Sequence, residues 1–144
     1  MVRKSKFDNK DIEILRILQK NSRTKYTKIA QILNITEAAI RKRVKKLLKE
    51  KIIRKFTIDI DYNLLEYKLC FIGLDIDKDY IFEVIKKIPK NENIKAIYIS
   101  YGDHNLMIEF LYKNSSELNN FIEKLKNIRG VLKVCPAIIA EKIY

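Results

Sequence analysis

Histidine, cysteine, glycine and proline are all scarce in this chain. Its 144 residues include one histidine (His104), two cysteines, two prolines and three glycines. One histidine and two cysteines cannot assemble a Cys/His zinc site. Three glycines leave no loop rich enough to cradle phosphates, and no Ser/His/Asp or Cys/His nucleophile set is present. No catalytic residue, metal ligand or cofactor is therefore assigned. Cys70 and Cys135 fall in separate apolar, strand-like runs, and read as two buried thiols in preference to a disulfide or metal pair. Long apolar runs are missing too. The longest, residues 69–74 and 134–140, fall far short of the roughly 20 residues that span a bilayer. The basic start, Met1-Val2-Arg3-Lys4-Ser5-Lys6, leads into charged residues and no apolar segment, so it is not a signal peptide. These absences point to a cytoplasmic protein with no membrane partner.

Positive charge is abundant and unevenly placed. Residues 1–60 hold 18 Lys+Arg against 6 Asp+Glu, a balance of +12, whereas residues 61–144 hold 12 of each. The step predicts two small domains, the first built to meet a polyanion. A core of about 60 residues is marginal alone, so self-association is expected.

The basic part reads as three helices. Residues 8–20 form the first, with Asp8 as cap, Asp11 and Glu13 at its positive end, and an apolar stripe of Ile12, Leu15, Ile17 and Leu18. Residues 25–33 form the second, with Tyr26, Ile29, Ala30 and Leu33 on one face. Asn34 suits a left-handed stop, and Thr36 is a good cap for a third helix over residues 37–50. In that helix Ile40, Val44, Leu47 and Leu48 face inward. At roughly 100° per residue, the outward arc collects Ala38, Lys42, Lys45, Lys46 and Lys49, with Arg41 on its flank. Helix, helix, tight turn and helix is the helix-turn-helix arrangement, and the third helix reads as the one that enters a major groove. A merely solvated lysine face is the alternative. The preceding turn and the charge step favour DNA. Thr36, Ala38, Arg41 and Lys42 would lie nearest base edges, with Arg41 the candidate for guanine. Lys45, Lys46, Lys49, Arg54 and Lys55 would meet phosphates, and Arg23 and Lys25 would hold flanking backbone. Residues 52–60 alternate as a half-buried strand or the arms of a short wing. Residues 61–67 lack Pro and Gly and read as a packed hinge.

The neutral part alternates strand and helix. Strands are predicted over residues 68–76, 94–101, 106–112 and 131–143, and helices over 79–88 and 116–129. The order is βαββαβ, a split ferredoxin-like plait. Pro136 fits the edge position of the last strand, and Gly130 a left-handed position after the second helix. The first and last strands are apolar on both faces. A single domain should leave one face wet, so a second copy is expected to cover it. A dimer then carries two helix-turn-helix heads to paired half-sites.

With these pieces placed, the chain resembles the leucine-responsive regulator (Lrp/AsnC) family of transcription regulators. The match is carried by residues 7–15 (Phe7-Asp8-Asn9-Lys10-Asp11-Ile12-Glu13-Ile14-Leu15), Asn21-Ser22-Arg23, Ile29-Ala30, Ile35-Thr36, Arg41-Lys42-Arg43-Val44-Lys45-Lys46-Leu47 and Ile52-Ile53. It continues through Tyr101-Gly102-Asp103-His104-Asn105-Leu106 and Arg129-Gly130-Val131. The resemblance implies an α+β chain with a winged helix-turn-helix head at residues 1–60, a hinge at 61–67, and a ferredoxin-like (RAM) domain at 68–144. It implies dimers, tetramers or octamers, and a small effector, usually an amino acid, held near Gly102, Asp103, His104 and Asn105. Asn105 stands where the family typically has Asp, which removes an anionic partner for an α-amino group. Lys51 and Glu66 stand where glycine is usual, and Lys51 there needs a left-handed backbone or a different helix exit. The function read is a homo-oligomeric regulator binding pseudo-palindromic promoter DNA. The alternatives are a non-specific architectural DNA binder and an enzyme resembling the siroheme decarboxylases of this fold, for which only His104 and Arg129 would be available.

Overall fold

The structure, a computed structural model, describes residues 6–143. Residues 1–5, on which the reading of the start rests, and Tyr144 lie outside the described residues. The chain divides into two compact units between Asp59 and Ile60.

The first unit holds α1 (Asn9–Lys20), α2 (Tyr26–Leu33) and α3 (Glu37–Lys49). Each start and stop has a local cause. Asp8 caps α1 in a capping box: its carboxylate accepts the Asp11 N–H, and the Asp11 carboxylate accepts the Asp8 N–H. Asn34 ends α2 at φ 50°, and the Thr36 hydroxyl accepts the Ala39 N–H to open α3. Both polar residues thus satisfy backbone groups that helix ends leave unpaired. The core is Ile14, Leu18, Ile29, Ala30, Ile40, Val44 and Leu47. Two expected core residues are outside it: Ile12 is 44 % exposed and Leu48 41 %. On α1 the inward line is Asp11, Ile14 and Leu18, spaced three and four apart. Buried Asp11 sets that line's phase and carries Ile12 round toward water.

Ile52 and Ile53 bend, their N–H groups donating to the Leu47 carbonyl, and residues 54–60 form no helix or strand within the described chain. The expected strand or wing is therefore not closed by this chain's own backbone, and Ile52, Phe56 and Ile58 stay exposed. Lys51 takes φ 57°, the left-handed one of the two outcomes expected there.

The second unit begins with residues 60–67, which include a short 3₁₀ turn, Asn63–Leu65, ended by Glu66 at φ 60°. There follow β1 (Lys68–Ile76), α4 (Ile81–Lys87), β2 (Ile94–Ile99), β3 (Leu106–Tyr112), α5 (Ser115–Lys126) and β4 (Val131–Ile139). The four strands are antiparallel neighbours in the order β2-β3-β1-β4, so Pro136 does sit on an edge strand. β2 and β4 are shorter than expected. Ile99 pairs with Leu106, where β3 begins, and Ile139 pairs with Leu69, next to the start of β1. A strand ends where its neighbour has no more backbone to offer. Both helices are also shorter: a 3₁₀ turn, Lys78–Tyr80, precedes α4, and α5 stops at Lys126. Cys70, Ile72, Leu74 and Ile76 of β1 are buried with Val84, Leu118, Phe121, Ile122 and Leu125 from the helices. The Phe110 and Phe121 rings stack at 4.1 Å.

Alternation sends Leu69, Phe71, Gly73 and Asp75 to the opposite sheet face. Register places Met107 of β3, and Ala137 and Cys135 of β4, beside them. Cys70 and Cys135 therefore lie on opposite faces, and both are free thiols. Only Cys70 is fully buried, and burial raises its pKa above the ordinary thiol value.

Candidate nucleic-acid interface and effector turn

The third helix presents two chemically different sides. Ile40, Val44 and Leu47 are fully buried, while Ala38, Arg41, Lys42, Lys45 and Lys49 are exposed, as is Thr36 at its start. Burial of the first set fixes the rotation of the helix, and that rotation brings the second set together in solvent. Arg23 and Lys25 are exposed just before α2, and Arg54 and Lys55 on the segment that follows α3. Arg23, Arg54 and Lys55 also line one groove of about 850 Å³ between the end of α1 and residues 52–59.

Lys46, expected at phosphate, also has partners within the head. Its ammonium donates to the Lys6 carbonyl at 2.7 Å and lies 4.9 Å from the centre of the Phe7 ring. Lys6 in turn pairs with Glu50, which lowers the pKa of that carboxyl. These contacts hold the segment before α1 against α3, with Lys46 as a tether.

Arg43 belongs to the same basic run but turns inward. Its Nη1 donates to Asp11 Oδ1 at 2.7 Å and to Asp8 Oδ1 at 2.8 Å. Asp11 is the one charged side chain buried among the described residues, at 1 % exposure. Asp8, accepting from the Asp11 backbone and from Arg43, is held below the ordinary carboxylate pKa. Arg43 thus cross-links the start of α1 to α3 and sets where the basic face points. Composition could not single it out. The available signal was Asp11 in phase with Ile14 and Leu18, an acid on an apolar line that needs a cation.

In the second unit, residues 100–105 join β2 to β3. Gly102 takes φ 119°, which explains a glycine there. Asp103 is exposed. His104 folds back over β1: its Nδ1 lies 2.7 Å from Asp75 Oδ1, and its ring fills the space a Cβ at residue 73 would occupy. Gly73 therefore makes room for the ring. Asn105 is engaged elsewhere. Its Oδ1 accepts the Ile76 N–H at 2.9 Å and its Nδ2 donates to the Ile76 carbonyl at 2.6 Å. The amide pairs with Ile76 as another backbone strand would. Each of its polar ends is bonded to the Ile76 peptide. A carboxylate could accept from Ile76 but could not donate to it.

Both halves of the chain match family models: the AsnC-type helix-turn-helix domain over residues 7–48 and the Lrp/AsnC ligand binding domain over residues 69–143. The HTH-type transcriptional regulator LrpA of Pyrococcus abyssi is 44 % identical over 138 residues, covering 94 % of this chain and 98 % of that protein. The HTH-type transcriptional regulator LysM of Sulfurisphaera tokodaii is 37 % identical, covering 92 % of this chain and 94 % of that one. The crystal structure of PH0061 superposes with a TM-score of 0.87 at 32 % identity, covering 96 % of each chain. No helix among the described residues is long and apolar enough to cross a membrane. From its helix-turn-helix head to its four-stranded ligand-binding domain, the chain belongs to the Lrp/AsnC family of DNA-binding transcription regulators.

Proposed function

We propose that the protein regulates transcription in the cytoplasm by binding short pseudo-palindromic promoter sites as a homodimer, assembling further to a tetramer or octamer, under control of a small amino-acid effector. The observation that carries the DNA contact is the rotation of α3, with its apolar side sealed and Ala38, Arg41, Lys42, Lys45 and Lys49 outward. Arg41 and Lys42 would read bases, and Lys45, Lys49, Arg23, Lys25, Arg54 and Lys55 would meet phosphate. The dimer is supported by the sheet face opposite the helices. Leu69, Phe71, Met107 and Ala137 lie there, and no helix of this unit covers that side. The segment 54–58 forms no strand within the described chain, and its exposed Phe56 and Ile58 offer a second copy a further apolar surface. For the effector, the polar groups left at the turn are the Asp103 carboxylate and the His104–Asp75 pair.

The test is selection of genomic fragments by the purified protein at about 150 mM salt, where non-specific phosphate attraction is weakened. A shared short pseudo-palindrome is the expected result. Fragments with no common sequence would replace this reading with an architectural one.

A further inference from the structure

Arg41 is not a free guanidinium. Its Nη2 donates to Glu37 Oε1 at 2.6 Å, one turn earlier in α3, and its Cζ lies 5.5 Å from the centre of the Tyr26 ring. The helix-turn-helix places both partners: Glu37 is the first residue of α3, and Tyr26 the first of α2. The ion pair is exposed, at 67 % and 40 % of its side chains, so it adds little to stability. A carboxylate at this end of α3 also opposes phosphate attraction. Charge alone therefore gives Glu37 no part in DNA binding. A good helix start would be served by any acid there, without reaching Arg41.

We propose that Glu37 is a specificity-determining residue of the DNA contact, a step that rests on the sequence-specific reading above. Glu37 and Tyr26 hold the guanidinium in one orientation, engaging one N–H and one face and leaving its other N–H groups for guanine O6 and N7. The second carboxylate oxygen of Glu37 then accepts the exocyclic amino group of a flanking cytosine. A base that presents a carbonyl at that position meets the carboxylate and is rejected. Glu37 and Arg41 together read a two-base step. Tyr26 is a positioning residue that acts through Arg41.

The experiment uses the full chain and single-base variants of its selected site, with affinities measured by fluorescence anisotropy at about 150 mM salt. If the wild type has no sequence preference, the regulator reading itself fails, and that outcome is separate from this one. Given a preference, Glu37→Gln should keep the guanine choice, because a Gln oxygen still reaches Arg41. Its discrimination at the flanking base should fall from about tenfold toward none, while binding to unrelated DNA strengthens. Glu37→Ala should also weaken the guanine choice several-fold. Tyr26→Leu should do the same, and Tyr26→Phe should restore it by keeping the ring. If these variants change affinity by one common factor for every sequence, Glu37 and Tyr26 are merely structural and the proposal is overturned. Should Glu37→Ala fail to fold by circular dichroism, Glu37→Gln and Tyr26→Phe still decide the question.

Discussion

Replacing Arg43 with alanine leaves the Asp11 carboxylate buried at 1 % exposure with one remaining donor, the Asp8 backbone N–H at 3.1 Å. Breaking a buried pair by deleting one partner costs about 3–5 kcal/mol, because the other charge is stranded. Here Arg43 is 28 % exposed and Asp8 55 %, so water can reach the gap from one side. That places the cost at the low end, about 3 kcal/mol. In a unit this small it corresponds to a fall in melting temperature on the order of 15 °C. Native-state amide exchange locates the damage: protection should fall in α1–α3 and persist in β1–β4. A double-mutant cycle with Asp11→Leu and Arg43→Met isolates the pair, and the two single costs should exceed the cost of the double by about 2 kcal/mol. DNA binding provides the control. If Arg43 only supports the fold, the salt dependence of binding measured well below melting keeps its slope. A loss under about 0.5 kcal/mol, or strictly additive singles, would refute the cross-link.

Other consequences follow from single contacts. Asn105→Asp removes the donor to the Ile76 carbonyl and sets a carboxylate against it, so chemical denaturation of the second unit should register a loss of about 1–3 kcal/mol. Lys51→Gly and Glu66→Gly should each raise stability by about 0.5–1 kcal/mol, since both positions are left-handed, and a melting curve checks it. The Asp8 and Glu50 carboxyls titrate below their ordinary values of 3.8 and 4.5. Their contribution to the first unit is therefore complete above those values and fades as pH falls below them. An acid titration followed by helical circular dichroism should show α1–α3 weakening in that range. Lys45→Ala should reduce the slope of log affinity against log salt by about 1. Lys46→Ala should reduce it less and instead loosen residues 6–8, read as faster amide exchange.

Much was legible because the relevant signals are local. Helix starts at Asp8 and Thr36 and the stop at Asn34 depend on hydrogen bonds within a few residues. The strand order followed from the βαββαβ pattern, and the edge place of Pro136 from its missing N–H. Lys51 stands where the family resemblance implies glycine, which leaves a left-handed backbone or a different helix exit, and it takes the left-handed one. The errors share a different cause. Ile12 and Leu48 were assigned inward by counting apolar residues, whereas a buried acid fixed the phase of α1 and a tighter core that of α3. Residues 52–60 alternate like a strand, but a strand requires a neighbour, and the described residues supply none.

The sequence by itself determined the class of the protein: a basic helical head, a neutral βαββαβ domain, and a turn at Gly102. Charge balance, capping and period are written in neighbouring residues. Only the tertiary structure decided what each member of one basic run does. Arg43 goes to a buried carboxylate, Lys46 to the preceding segment, Arg41 to Glu37 and Tyr26, and Lys42, Lys45 and Lys49 to solvent. It also set the Asn105 amide against the backbone of β1. The physical reason is that a side chain's role is set by the unsatisfied group nearest it after folding. Those groups, Asp11, the Lys6 carbonyl and the Ile76 peptide, lie about 30 to 40 positions away along the chain.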